Sequence, residues 1–183
     1  MPDRVEYSPL PRLTLVLGGA RSGKSRFAET LIEAAAPQAL YLATATAEDE
    51  EMRHRIAQHR ARRGARWHTL EEPLELAASL RAAPPGRPVL VECLTLWLAN
   101  LMRAGRPPEL EFGALLVALE EIPGPAVLVA NEVGLGIVPD NALAREFRDH
   151  AGRLNCAVAA AADRVVFLAA GLPMTLKDRV AVR

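Results

Sequence analysis

Leu13-Thr14-Leu15-Val16-Leu17-Gly18-Gly19-Ala20-Arg21-Ser22-Gly23-Lys24-Ser25 is an apolar run that ends in a glycine-rich turn and opens into a helical pattern. From Gly18 onward it matches G-x-x-x-x-G-K-[ST], the pattern of a phosphate-binding P-loop. The chemistry needs each part. Glycines let backbone N–H groups turn inward around phosphate oxygens, and the helix that follows adds its positive N-terminal end. Lys24 then reaches the outer phosphates, and Ser25 ligates Mg²⁺. A glycine-rich turn that merely caps a helix is the ordinary alternative; the strand before and the helix after it set that aside. Gly18, Gly19, Ala20, Arg21, Ser22, Gly23, Lys24 and Ser25 are therefore candidate nucleotide-binding residues, with Lys24 also catalytic.

Working outward, short apolar runs alternate with longer helical patterns. The runs are Leu13 to Leu17, Ala39 to Ala43, Val89 to Val91, Val127 to Ala130 and Val165 to Leu168. Helices are expected at Ser25 to Ala35, Glu48 to Arg63, Leu74 to Ala82, Leu94 to Arg103, Leu110 to Glu121 and Asn141 to Ala162. Pro37, Pro84-Pro85, Pro107-Pro108, Pro123-Gly124-Pro125 and Pro139 punctuate them. This is the rhythm of β-α-β units, predicting an α/β fold with a mainly parallel central sheet flanked by helices. At 183 residues and 50% hydrophobic the chain fits one domain, 1–183, with residues 1–12 as an N-terminal extension.

Lys+Arg and Asp+Glu both total 22, so no global positive field exists to hold nucleic acid. Cys93 and Cys156 form no C-x-x-C pair, which suits reduced thiols. Met1 to Arg12 has no apolar signal-like core, and no segment offers eighteen uninterrupted apolar residues. A soluble, cytoplasmic protein with no membrane insertion is expected.

A P-loop Mg²⁺ site calls for a second acid at the end of a neighbouring apolar strand. Val89-Leu90-Val91-Glu92 supplies one, and Val127-Leu128-Val129-Ala130-Asn131-Glu132 has the same form. Glu92 is preferred with Ser25 as the metal pair, and Glu132 stays open. Between Arg53 and Arg66 lie six arginines and two histidines, preceded by Glu48-Asp49-Glu50-Glu51. An exposed helix whose charges complement its dipole would look similar. However, Arg55, His59 and Arg63 recur at i, i+4 and i+8, which sets an imidazole between two guanidinium groups on one stripe suited to a polyphosphate. Zinc is disfavoured, because His54 and His59 are five apart and no H-E-x-x-H occurs.

Beyond the P-loop and Arg26, several stretches resemble, in order, the bifunctional adenosylcobinamide kinase / adenosylcobinamide-phosphate guanylyltransferase family of cobalamin biosynthesis. They are Tyr41-Leu42-Ala43-Thr44, Met52-x-x-Arg55-Ile56-x-x-His59, Trp67-x-Thr69-x-Glu71, Glu92-Cys93-Leu94-Thr95, Asn131 to Pro139, Arg145-x-Phe147-Arg148-Asp149, Gly152-Arg153-x-Asn155, Ala162-Asp163 and Gly171-x-Pro173-x-x-Leu176-Lys177. The resemblance spans roughly residues 13 to 177, and its most specific parts are Asn131 to Pro139 and Gly152 to Asn155. It implies a RecA-like P-loop NTPase fold, a homotrimer, and two reactions. First, the hydroxyl of the aminopropanol arm of adenosylcobinamide takes the γ-phosphoryl of ATP or GTP. Second, a histidine attacks the α-phosphorus of GTP, expels pyrophosphate, and passes GMP to the new phosphate, giving adenosylcobinamide-GDP.

The family's guanylylated histidine maps onto His59, in agreement with the stripe. Thr44, Arg55, Arg60, Arg63, Glu71 and Glu92 join the P-loop as nucleotide-binding candidates, and Mg²⁺ is the expected cofactor. Neutral imidazole, with an unperturbed pKa of about 6.5, suits nucleophilic attack and later departure. Two departures stand out: Glu92 where relatives often have Asp, and Cys156 where they tend to have Gln. A single-activity P-loop small-molecule kinase is the rival. A GTP-driven switch is disfavoured by the lack of an N-K-x-D guanine-reading motif.

Overall fold

The computed structural model describes residues 10–46, 50 and 64–179. Its strands are β1 (Leu13–Gly18), β2 (Ala39–Ala43), β3 (Trp67–Glu71), β4 (Val89–Glu92), β5 (Ala126–Asn131), β6 (Arg164–Ala169) and β7 (Leu172–Asp178). The helices are α1 (Lys24–Ala35), α2 (Leu76–Arg81), α3 (Leu94–Arg103), α4 (Pro108–Glu121) and α5 (Ala142–Ala161). The expected helix from Glu48 to Arg63, with its basic stripe and His59, lies outside the described residues except for Glu50.

The seven strands form one sheet in the order β3-β2-β4-β5-β1-β6-β7. All neighbours pair in parallel except β6 and β7, which are antiparallel. The strands β1, β4 and β5 read as continuous apolar runs because both faces are covered. On one face Val16, Tyr41, Leu90, Val127 and Val166 pack with Ala28, Leu31 and Ile32 of α1. The other face carries Leu15, Leu17, Leu42, Val91 and Leu128 against Trp97, Leu98, Leu115, Leu154 and Val158 of the remaining helices. Period 2 along each strand thus sorts alternate residues onto opposite helix layers. Trp97 is fully buried, and its indole N–H donates to the Leu74 carbonyl at 2.9 Å, as a buried indole requires.

Strands β3 and β7 are additions to the sequence reading, and both are sheet edges. In β3 only Trp67 is buried, so too few apolar side chains mark the strand. β7 contains Pro173, which lowers a strand reading and is tolerated at an edge. The β6–β7 hairpin turns through Ala170 (φ 50°) and Gly171 (φ 80°), the two positive φ values of a type I′ turn. Of residues 1–12, those described anchor the sheet: the Arg12 carbonyl accepts from Ala126 N at 2.8 Å. Among the described residues no helix is long and apolar enough to cross a membrane.

Candidate active site

The carboxyl ends of β1, β4, β5 and β6 meet where β1 passes into α1, the crevice that parallel sheets offer to ligands. Gly18 ends β1 in a place no side chain fits. A Cβ there would lie 2.6 Å from both the Leu168 carbonyl oxygen and Ser22 Oγ. The loop then turns through Arg21 (φ 56°) and Gly23 (φ 93°). Left-handed backbone at a non-glycine residue costs about 1–2 kcal/mol, so Arg21 is held there by the surrounding loop. Two contacts do so: Ser22 N donates to Gly19 O at 3.4 Å, and Gly171 N to Ser22 O at 3.0 Å. Helix α1 begins with no side-chain cap and no acid in its first turn, leaving its N-terminal N–H groups to an anion.

Lys24 is 7% exposed, and its Nζ donates to the Gly19 carbonyl at 2.8 Å. Ser25 Oγ donates to Glu92 Oε1 at 2.8 Å. The residues singled out around the P-loop thus come together across β5, which separates β4 from β1. Glu132 stands elsewhere. Its N–H donates to Gly18 O at 3.0 Å, and its Oε1 accepts from Gly134 N.

Ser25 Oγ and Glu92 Oε1 are two hard oxygen donors side by side. That suits Mg²⁺, which takes one or two protein oxygens and completes its shell with phosphate and water. Among the described residues no group of three or more His, Cys, Asp or Glu could hold a metal by itself, so any ion here would depend on the phosphates.

Thr44 lies behind Glu92 and is fully buried. Its Oγ1 donates to the Cys93 carbonyl and accepts from Cys93 N, both at 2.8 Å, while Thr44 N donates to Glu92 O at 3.0 Å. Asn100 Nδ2 in turn donates to the Thr44 carbonyl at 2.8 Å and to Pro73 O at 3.2 Å. Asn100 was missed from sequence, though a lone amide in the apolar helix Leu94–Arg103 is a usable signal. Burial, with the neighbouring Glu92 charge adding to it, pushes the Cys93 thiol up to about 11. Glu71 ends the edge strand β3, four strand positions from β1, about 19 Å along the sheet; it is not brought to the P-loop. His59, Arg55, Arg60 and Arg63 lie outside the described residues.

A cleft of about 410 Å³ opens beside the loop, between Gly19, Arg21, Ser22, Glu132, Leu135 and Phe167. Its walls beyond the P-loop were not foreseen, because they come from the ends of β5 and β6 and converge only in the folded sheet.

Similar folds occur in solved structures of low identity. An ATPase of the type III secretion system of pathogenic bacteria aligns with a TM-score of 0.58 at 13% identity, over 92% of this chain and 57% of that one. The flagellar accessory protein FlaH of Methanocaldococcus jannaschii aligns with 0.53 at 12% identity, over 91% and 78%. These establish the RecA-like ATPase fold. Sequence relatives say more. The bifunctional adenosylcobalamin biosynthesis protein CobP of Pseudomonas aeruginosa is 56% identical over 166 residues, 89% of this chain and 96% of that protein. CobU of Salmonella typhimurium, described in the same words, is 43% identical over 181 residues, covering 90% and 99%. The model of the cobinamide kinase / cobinamide phosphate guanyltransferase family matches residues 14–176. The chain belongs to that family and has the two activities its description names.

Proposed function

We propose that one P-loop serves both reactions. ATP or GTP gives its γ-phosphoryl to the hydroxyl of adenosylcobinamide; GTP then gives GMP, by way of His59, to the phosphate so formed. The observation that carries this reading is the pairing of Ser25 with Glu92 at 2.8 Å while Lys24 Nζ lies 2.8 Å from Gly19 O.

Phosphoryl transfer asks a protein mainly to position groups and neutralise charge. The uncapped N–H groups of α1 would hold the phosphates, and Lys24 would exchange Gly19 O for a phosphate oxygen. Ser25 and Glu92 would hold Mg²⁺, which when bound neutralises charge on the phosphates. Thr44 and Asn100 fix the backbone that carries Glu92. In the second reaction a His59 nitrogen would bond to the α-phosphorus as the bond to pyrophosphate breaks, and the acceptor phosphate would then displace the imidazole. Arg55, Arg60 and Arg63 share the segment of His59 and would neutralise phosphates in transit. We assign a homotrimeric assembly on the family resemblance. The free thiols Cys93 and Cys156 support a cytoplasmic location.

Replacing Lys24 tests the shared P-loop. Lys24→Ala should lower both corrinoid phosphorylation and GMP transfer by about 10²-fold or more. A variant that keeps ordinary guanylyltransferase rates would place GTP elsewhere.

A further inference from the structure

The cleft beside the P-loop has a different character from the Ser25–Glu92 side. Its wall includes Gly19, whose carbonyl accepts from Lys24 Nζ, so the cleft borders the phosphate loop next to the residue that holds the lysine. Glu92 lies farther along the sheet, on β4 beyond β5, and does not line the cleft. Leu135, which lines the cleft, is 82% exposed, and beyond Gly136 the same loop exposes Ile137 (98%) and Val138 (58%). An exposed apolar patch of this kind marks a binding surface.

The segment is held in shape. Asn131 N donates to Thr95 Oγ1 at 2.7 Å at one end. At the other, the Arg145 guanidinium donates to Pro139 O and Asp140 O at 2.9 and 2.6 Å. The apolar side chains are therefore displayed from a pinned loop.

The geometry points to this cleft and the loop beside it as the seat of the corrinoid acceptor, an assignment that rests on the P-loop reading proposed above. Both reactions share that acceptor, whose hydroxyl-bearing arm must reach the outer phosphates. The macrocycle has broad methyl-bearing faces and amide edges, which suit an apolar loop. The cleft has room for the arm and a phosphate, and its polar groups match each stage. Glu132 offers a carboxylate whose one oxygen is aimed by Gly134 N, with lone pairs left for a hydroxyl proton. Exposed Arg21 offers a guanidinium to the phosphate made in the first step. In that step the arm oxygen bonds to the γ-phosphorus, and the bond from γ-phosphorus to the β,γ-bridging oxygen breaks. The nucleoside diphosphate leaves with that electron pair, and the hydroxyl proton passes to Glu132.

Steady-state kinetics on the full chain, with ATP and adenosylcobinamide, test the assignment. The double variant Leu135→Ser/Ile137→Ser should raise KM for the corrinoid about tenfold or more. Its KM for ATP should stay within about twofold, and its mass by light scattering should not change. Glu132→Gln should lower kcat about 10²-fold with both KM values nearly unmoved, as expected for a lost base, and Glu132→Asp should restore part of it. An unchanged corrinoid KM overturns the assignment. So does a change of mass in the double variant, which would give the loop to a second copy of the chain. If the wild-type chain fails to phosphorylate the corrinoid, the functional reading falls instead.

Discussion

Gly18→Ala adds one methyl group at the tightest point of the site. Its Cβ would stand 2.6 Å from the Leu168 carbonyl oxygen, about 0.8 Å inside the ordinary contact limit of 3.4 Å. Leu168 is main chain of β6 and the registered partner of Gly18, so no side-chain rotation relieves the clash. Strand and loop must part, and overpacking of this sort costs about 1–3 kcal/mol. At about 2–4 °C per kcal/mol for a chain of this size, a midpoint loss of 4–8 °C corresponds to about 2 kcal/mol. Displacement of the P-loop by most of an ångström should also cut kinase turnover by about 10²-fold. Thermal unfolding, followed by the fluorescence of Trp67 and Trp97, and initial rates read the two effects. Gly19→Ala is the control, since a Cβ there meets nothing within 4 Å; its stability should lie within about 0.5 kcal/mol of wild type. A Gly18→Ala protein with wild-type midpoint and turnover would refute the reasoning.

Two other outcomes follow from the strand-end network. Glu92→Gln should raise the Mg²⁺ concentration needed for half-maximal kinase rate and lower kcat about 10²-fold; an unmoved Mg²⁺ titration would shift the metal role to Glu132. For Cys93, the folded thiol is held at about 11 against an ordinary 9.0, with burial the first cause. The unfolded chain loses that proton first, so the contribution is intact below pH 9 and falls as the pH rises from 9 toward 11, by about 3 kcal/mol in full. Denaturant unfolding of wild type and Cys93→Ala across that range should show the steeper alkaline loss in wild type alone; identical slopes would contradict it.

The parts of this protein written locally were legible from the chain. A P-loop is eight consecutive residues, and five of the seven strands are buried apolar runs, so pattern and place coincide. The edge strands β3 and β7 were missed because an edge buries little and tolerates proline. At the site, the sequence left Glu92 and Glu132 equivalent, since each follows an apolar run. Only the folded contacts separate them: Glu92 accepts from Ser25, while Glu132 accepts from Gly134 N and joins Phe167 in the cleft lining. Thr44 carried a motif position, but its place behind Cys93 depends on pairing between β2 and β4. The exposed apolar residues from Leu135 to Val138 read as ordinary hydrophobic content until the fold left them outside.

Incubation with GTP radiolabelled at the α-phosphorus, in the absence of corrinoid, tests the covalent half of the account directly. Wild-type protein should carry the label through denaturation, in a bond that is acid-labile and alkali-stable, as a P–N bond to imidazole is. His54→Ala should label as well as wild type. His59→Ala should take up no label and still phosphorylate adenosylcobinamide through the site around Lys24. Label that persists in His59→Ala, or an adduct stable to acid, would contradict the assignment of His59 as the nucleophile.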